Sequence, residues 1–181
     1  LEFTTVYCPN GKHTGHDDFP AKLRWFESLA AHLEATAKPE RAAVLCGDFN
    51  VVPAAIDSYD EESLHGSIFH TDEERARFER LLAAGFLDVF RAVHPDTQAF
   101  AWWDYRGGAF HRKHGLRIDL LLATPPIMAR LRSAEIDREF GGFGEDFAIV
   151  SGEACGAGVA QFVPVVIHDQ GGNSIFLELQ G

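Results

Sequence analysis

Val44-Leu45-Cys46-Gly47-Asp48-Phe49-Asn50-Val51 is the stretch that decides how this chain is read. A short apolar run ended by Gly predicts a buried strand that breaks into a turn. If the strand's period of two continues past Gly47, Asp48 and Asn50 point to one side, where they can share a metal ion or a phosphate. The alternative for the same residues is an Asp and an Asn closing a turn, which both side chains do well. The neighbouring segments bear on that choice.

Upstream, residues 1–7 are rich in β-formers and stop at Tyr7-Cys8-Pro9-Asn10-Gly11, so Tyr7 is expected at a strand end. A loop carrying His13, His16, Asp17 and Asp18 follows. Its H-x-x-H pair reads as solvated, since no helix holds it for zinc. From Asp18 the spacing predicts a helix with an Asp cap, Pro20 in its first turn, and Leu23, Phe26, Leu29, Ala30 and Leu33 on one face. Lys22 and Arg24 fall in its early turns, where the helix dipole does not favour cations. They read either as a solvated face or, for Lys22, as a contact to a bound phosphate.

Downstream, residues 51–70 are expected to be irregular. Thr71-Asp72-Glu73-Glu74 has the pattern of a capping box ahead of a helix to about Ala84, closed by Gly85. Phe86, Leu87, Val89, Phe90 and Val93 read as core. Phe100-Ala101-Trp102-Trp103-Asp104-Tyr105-Arg106 reads as a strand with aromatics on both sides, one set facing a ligand or solvent. A cationic loop follows with His111, Arg112, Lys113, His114 and Arg117. Leu116–Ala123 reads as a strand with one carboxylate, Asp119. That Asp is either salt-bridged to Arg117 or Arg106, or held to orient another group, because an unpaired buried carboxylate is costly. A helix from Pro125 to Leu131 and a strand at 134–138 complete the regular part.

With 181 residues, 46% hydrophobic and 24% charged, the composition is that of a globular protein, and no apolar run is long enough to cross a bilayer. Three cysteines, Cys8, Cys46 and Cys155, form no disulfide framework and fit a reducing, cytoplasmic setting. The net charge of -11 excludes broad attraction to nucleic acid, although a local basic site remains compatible with it. No Lys or Arg follows Arg138, whereas Glu139, Glu145, Asp146, Glu153, Asp169 and Glu178 do, so the tail is disproportionately acidic.

Tyr7-x-Pro-Asn-Gly, Gly47-Asp48-Phe49-Asn50, Trp102-Trp103-Asp104-Tyr105-Arg106 and Leu116-Arg117-Ile118-Asp119-Leu120-Leu121-Leu122 together resemble the exodeoxyribonuclease III and apurinic/apyrimidinic endonuclease branch of the endonuclease/exonuclease/phosphatase superfamily. The resemblance runs from residue 1 to about 140. It implies an α/β fold, a four-layer sandwich of two mixed sheets flanked by helices. It implies hydrolysis of DNA phosphodiesters with Mg²⁺ or Mn²⁺, as a 3′–5′ exonuclease and abasic-site endonuclease acting on double-stranded DNA, in a monomer without membrane attachment. Carried over residue by residue, Tyr7 contacts the scissile phosphate, Asp48 positions or deprotonates water, and Asn50 holds metal or phosphate, Asp48 and Asn50 being the metal candidates. Asp119 orients a catalytic His, Asn10 and Lys22 contact the DNA backbone, and Trp102 with Arg106 presses on the abasic sugar. Such a set suits the chemistry, since a phosphodiester repels its attacker until a cation and donors offset its charge.

The resemblance also has gaps. The family's metal-binding Glu has no counterpart here, and where the family carries Ser-Asp-His-Ala-Pro-Val this chain has Glu145-Asp146-Phe147-Ala148-Ile149-Val150, with Phe147 at the His position. The expectations are a C-terminal family portion over residues 1–140, incomplete at the N-terminus, and an atypical Gly-rich acidic tail over 141–181 of frameshift origin. On that basis the chain alone is expected to be weakly active or inactive. A non-catalytic DNA-binding remnant is the alternative, and a zinc module built from His13, His16, His111 and His114 is a third reading.

Overall fold

The structure, a computed structural model, describes residues 1–104, 109–137, 165–168 and 174–179. Strand β1 (Glu2–Tyr7) leads through a loop into helix α1 (Asp18–Thr36) and strand β2 (Ala43–Asp48). A 3₁₀ turn (Ala55–Asp57) and short helix α2 (Glu61–Leu64) precede α3 (Asp72–Ala83), β3 (Leu87–Asp88) and α4 (Val89–Val93). Then come β4 (Trp102–Trp103), α5 (Ala109–Arg112), β5 (Gly115–Leu116), β6 (Asp119–Ala123), α6 (Pro125–Met128) and β7 (Leu131–Asp137). Strands β8 (Val165–His168) and β9 (Ser174–Leu179) complete the described elements.

The principal sheet runs β1-β2-β6-β3, with β1 parallel to β2 and β6 antiparallel to both β2 and β3. Because side chains alternate along a strand, each strand feeds two cores. On one face Leu45, Leu120 and Leu122 meet Phe26, Ala30 and Leu33 of α1 and Phe78 and Leu81 of α3. On the other, Val44, Cys46, Leu121 and Ala123 meet Val89, Ile127 and Ala134, with Ile136 of β7 packed against them. Strand β7 belongs to a second sheet, β7-β9-β8, so helices, sheet and second sheet stack as the α/β sandwich expected. Gly47, at φ +134°, lets β1 and β2 approach: a Cβ there would lie 2.0 Å from the Val6 carbonyl oxygen.

Several elements differ from the sequence reading for identifiable reasons. Helix α1 starts at Asp18 itself, and Asp17 in the cap position makes no side-chain cap bond. Instead, the Asp18 N–H donates to His16 Nδ1 (3.0 Å), and the Asp18 carboxylate pairs with Lys12 (2.8 Å). The buried stripe of α1 is Phe19, Lys22, Phe26, Ala30 and Leu33. Among the described residues of the aromatic stretch, only Trp102 and Trp103, in β4, are in a strand. The expected single strand 116–123 is split, because the Arg117 N–H turns to the Asp57 carbonyl (2.9 Å) and the Ile118 carbonyl accepts from Phe49 N–H (3.0 Å). Helix α6 stops at Met128, and β7 begins already at Leu131. Leu87 and Val93 are exposed, unlike Phe86, Val89 and Phe90, which are core as read. The Thr71–Glu74 capping box forms as the sequence predicts. No helix among the described residues is long and apolar enough to cross a membrane.

Candidate active site

At one end of the principal sheet, Tyr7, Asp48 and Asp119 form a row. Tyr7 is the register partner of Asp48, and Asp48 is the register partner of Asp119. In-register neighbours project to the same face, so a phenol and two carboxylates share one edge of the second core. Strand β2 stops here because Phe49 buries itself against Phe78 in the helical core (centroids 5.9 Å apart) while Asn50 takes φ +47°. This left-handed residue brings both Asn50 donors back to Asp48: its N–H to Oδ1 (2.7 Å) and its Nδ2 to Oδ2 (2.8 Å). Nδ2 also donates to the Cys8 carbonyl (2.9 Å), and Oδ1 accepts from Asn10 Nδ2 (3.3 Å). The contacts are those of the turn-closing alternative: Asn50 leaves the strand period, and its two donors orient the Asp48 carboxylate.

The Tyr7 side chain is 54% exposed. Its phenol is held above the usual range, first by partial burial and then by the negative charge of Asp48 and Asp119 beside it. It therefore stays protonated at neutral pH. Asn10 is exposed at the same edge.

Lys22 lies elsewhere than expected. Its side chain is fully buried, bonded to Glu74 and to the Asn50 carbonyl (2.6 Å), and is neither a solvated cation nor a surface contact for a DNA backbone. Burial lowers its affinity for the proton, against the opposing charge of Glu74. The reason is helical phase: Lys22 stands between Phe19 and Phe26 on the buried stripe.

Trp102 is half-buried with its ring edge-on to Phe69 (6.3 Å) and lines a cleft of about 340 Å³ together with Tyr59, Ile68, Arg112 and His114. Arg106, expected beside it, lies outside the described residues, as does Phe147. Trp103 turns to the opposite side, against Phe100 and Phe110. Arg117 is not part of the cationic loop: it is buried between Asp57 and Asp88, with Nε 2.6 Å from Asp57 Oδ1 and Nη2 2.7 Å from Asp88 Oδ2. Asp119 is therefore not the partner of Arg117 that the salt-bridge reading supposed.

Sequence reasoning missed the Lys22–Glu74 pair, the Arg117 network and the His114 ring stacked on Tyr59 (4.3 Å). The only sequence signal for the first was the phase of Lys22. His13 meets His16 edge-on, and among the described residues no group of three His, Cys, Asp or Glu gathers to hold a metal, which removes the zinc module there. Asp48, Asp119 and Asn50 are hard oxygen donors. They fit a small cation that takes one or two protein carboxylates and completes its shell with water and phosphate.

The sequence profile of the Endonuclease/Exonuclease/phosphatase family matches residues 2–140. The exodeoxyribonuclease of Bacillus subtilis (strain 168) is 36% identical over 137 residues, 75% of this chain and 53% of that protein. The structure of the 3′ phosphatase NExo from Neisseria bound to product DNA hairpin superposes with a TM-score of 0.78 at 31% identity, over 97% of this chain and 59% of that one. An AP endonuclease from Archaeoglobus fulgidus gives 0.71 at 33% identity, over 75% of this chain and 53% of that one. This chain spans about half the length of the curated relatives it matches.

Proposed function

The chain belongs to the endonuclease/exonuclease/phosphatase family, and we propose that it serves metal-dependent hydrolysis of DNA phosphodiesters, as exonuclease and abasic-site endonuclease. The observation that carries this reading is the row Tyr7–Asp48–Asp119 with Asn50 folded onto Asp48. The family match over residues 2–140 supports taking 1–140 as the family portion, and residues 141–181 add strands β8 and β9 to the second sheet beside β7. Buried free thiols at Cys8 and Cys46 support a reducing, cytoplasmic setting. The working form is a monomer.

Each residue has a defined part. The Tyr7 phenol, protonated and half-exposed, donates to a phosphate oxygen. The Asp48 carboxylate, fixed by two Asn50 donors, receives the proton of the attacking water. Asp119 sets a second carboxylate beside it. Asn10 meets the backbone of double-stranded DNA, and Trp102 with its cleft accepts the exposed sugar of an abasic site or a 3′ end. Asp48, Asn50 and Asp119 would hold Mg²⁺ or Mn²⁺, which when bound stabilises charge on the phosphate and acidifies water.

The test is a labelled duplex with one abasic analogue, incubated with the purified chain and Mg²⁺. Slow incision 5′ to the analogue is expected, abolished by EDTA and by Asp48→Asn. Salt-sensitive binding without incision would leave a non-catalytic DNA-binding role, and neither binding nor incision would overturn both.

A further inference from the structure

Lys22 and Glu74 form an ion pair with neither side chain exposed to solvent, and it touches both ends of the site. Lys22 Nζ donates to Glu74 Oε1 and to the Asn50 carbonyl (2.6 Å). Glu74 Oε1 also accepts from the Phe69 N–H (3.2 Å), while Oε2 accepts from Thr71 N–H (3.1 Å) and Thr71 Oγ1 (2.7 Å). Phe69 lies 4.7 Å from Lys22 Nζ and backs Trp102 edge-on. Asn50 and Phe69, the two residues pinned by this pair, have φ of +47° and +72°. Asn tolerates the left-handed region, whereas for Phe it is unfavourable and persists only where the surroundings over-determine it.

Stability alone is a weak account of the pair, because two charges taken out of water lose hydration that their attraction only partly restores. What the pair does hold is two left-handed backbone conformations, one beside Asp48 and one, unfavourable for its Phe, behind Trp102. We infer that Lys22 and Glu74 are positioning residues that set the Asn50 amide against Asp48 and the Phe69 ring against Trp102, tying the phosphate end of the site to its sugar cleft. This deepens the nuclease reading and rests on it. Neither residue touches the substrate. Removing the pair releases both ends at once.

The test uses the Lys22→Met, Glu74→Gln and double variants, read by ¹⁵N–¹H spectra and by kinetics on abasic duplex. Either single variant strands a buried polar group and is expected to melt early. The double variant leaves no lone buried charge and is expected to melt cooperatively. Its Asn50 side-chain amide and Trp102 indole resonances both move, and kcat falls about tenfold or more while KM changes less than about threefold. In the unaltered chain a through-hydrogen-bond coupling between Lys22 Nζ and the Asn50 carbonyl carbon is expected. A folded double variant with both resonances unmoved overturns the inference, and so does unchanged kcat or a missing coupling. A double variant that does not fold assigns the pair to stability and overturns it too. If the unaltered chain cleaves no DNA, the nuclease reading falls, and the resonances still decide whether the pair positions Asn50 and Trp102.

Discussion

Asp48 and Asp119 are register partners across the antiparallel β2–β6 pair, the last residue of one strand beside the first of the other. Like charges directly opposite on a sheet are destabilising by a fraction of a kcal/mol up to about 1 kcal/mol. A divalent cation held there, as proposed, would offset the repulsion and, binding only the folded chain, would stabilise it by mass action. Millimolar Mn²⁺ or Mg²⁺ is expected to raise Tm by a few degrees, and Asp119→Asn to remove most of that rise. Equal shifts with and without Asp119, measured by calorimetry, would place the cation elsewhere.

Tyr7 stands next to Asp48 in the same row, and burial with two neighbouring carboxylates holds its phenol above the usual value near 10. A raised phenol pKa favours the neutral form, so the proton that Tyr7 would donate to a phosphate in the proposed role is lost only above that value. If the chain hydrolyses DNA as proposed, its rates are therefore expected to show no loss from Tyr7 ionisation below pH 10. Tyr7→Phe should lower kcat by about 10²-fold, the cost of removing one donor to developing charge. A Tyr7→Phe chain with unaltered kcat would assign the phenol to packing.

Arg117 is buried against Asp57 and Asp88, and Arg91 shares Asp57 (Nη2 to Oδ1, 2.5 Å). Removing one partner of such a network leaves charge uncompensated, so Arg117→Met is expected to cost about 3–5 kcal/mol in urea unfolding. The loss should be smaller when Asp57→Asn is added, because part of the stranded charge is then gone. Additive losses in that cycle would mean that the two side chains do not act together.

The parts of the site carried by local pattern were legible. Strand period and the Pro9-Asn10-Gly11 turn put Tyr7 at a strand end, the Gly47 break put Asp48 and Asn50 together, and Thr71 with Glu74 announced a helix start. Contacts set by long-range partners were not. Lys22 sits three residues after Phe19 and four before Phe26, which marks it as buried, but its partner Glu74 is 52 positions away. Arg117 likewise meets Asp57 across 60 positions, and no periodicity encodes that. Leu87 reads as core by hydropathy, yet it lies in a two-residue strand beside only β6 and stays exposed. Arg106 and Phe147 fall outside the described residues, so their expected roles rest on sequence alone.

Gly47 ties the site to the backbone. A methyl group there would press on the Val6 carbonyl oxygen at 2.0 Å, and the φ of +134° is one that L side chains rarely adopt. Gly47→Ala is expected to part β1 from β2 at the Tyr7–Asp48 end and to cost more than about 3 kcal/mol. Amide exchange at Cys8, whose N–H donates to the Asp48 carbonyl (2.8 Å), should quicken before that of Leu45 deeper in the sheet. Uniform quickening would argue for global destabilisation with no local parting.

Glu61 and His70 give the fold a two-step acid sensitivity. The Glu61 carboxyl is held down at about 2, chiefly by its bond to Arg75 (2.7 Å), against some burial and with help from His70 (3.0 Å). The His70 ring is buried, and that burial pushes its pKa below the ordinary 6.5 in spite of Glu61. Both groups have folded values below their unfolded ones, so each contributes stability that is complete above its unfolded pKa and is lost as pH falls through the folded one. Stability is thus expected to decline first below about pH 6.5, as the unfolded histidine takes a proton that the buried one resists, and again between about pH 4.5 and 2. His70→Gln should flatten the first limb alone. Glu61→Gln should flatten the second and, with its carboxylate gone from His70, deepen the first. Urea unfolding at pH 7, 5.5, 4 and 3 separates the two, and a single limb unaffected by either substitution would assign acid sensitivity to other carboxylates.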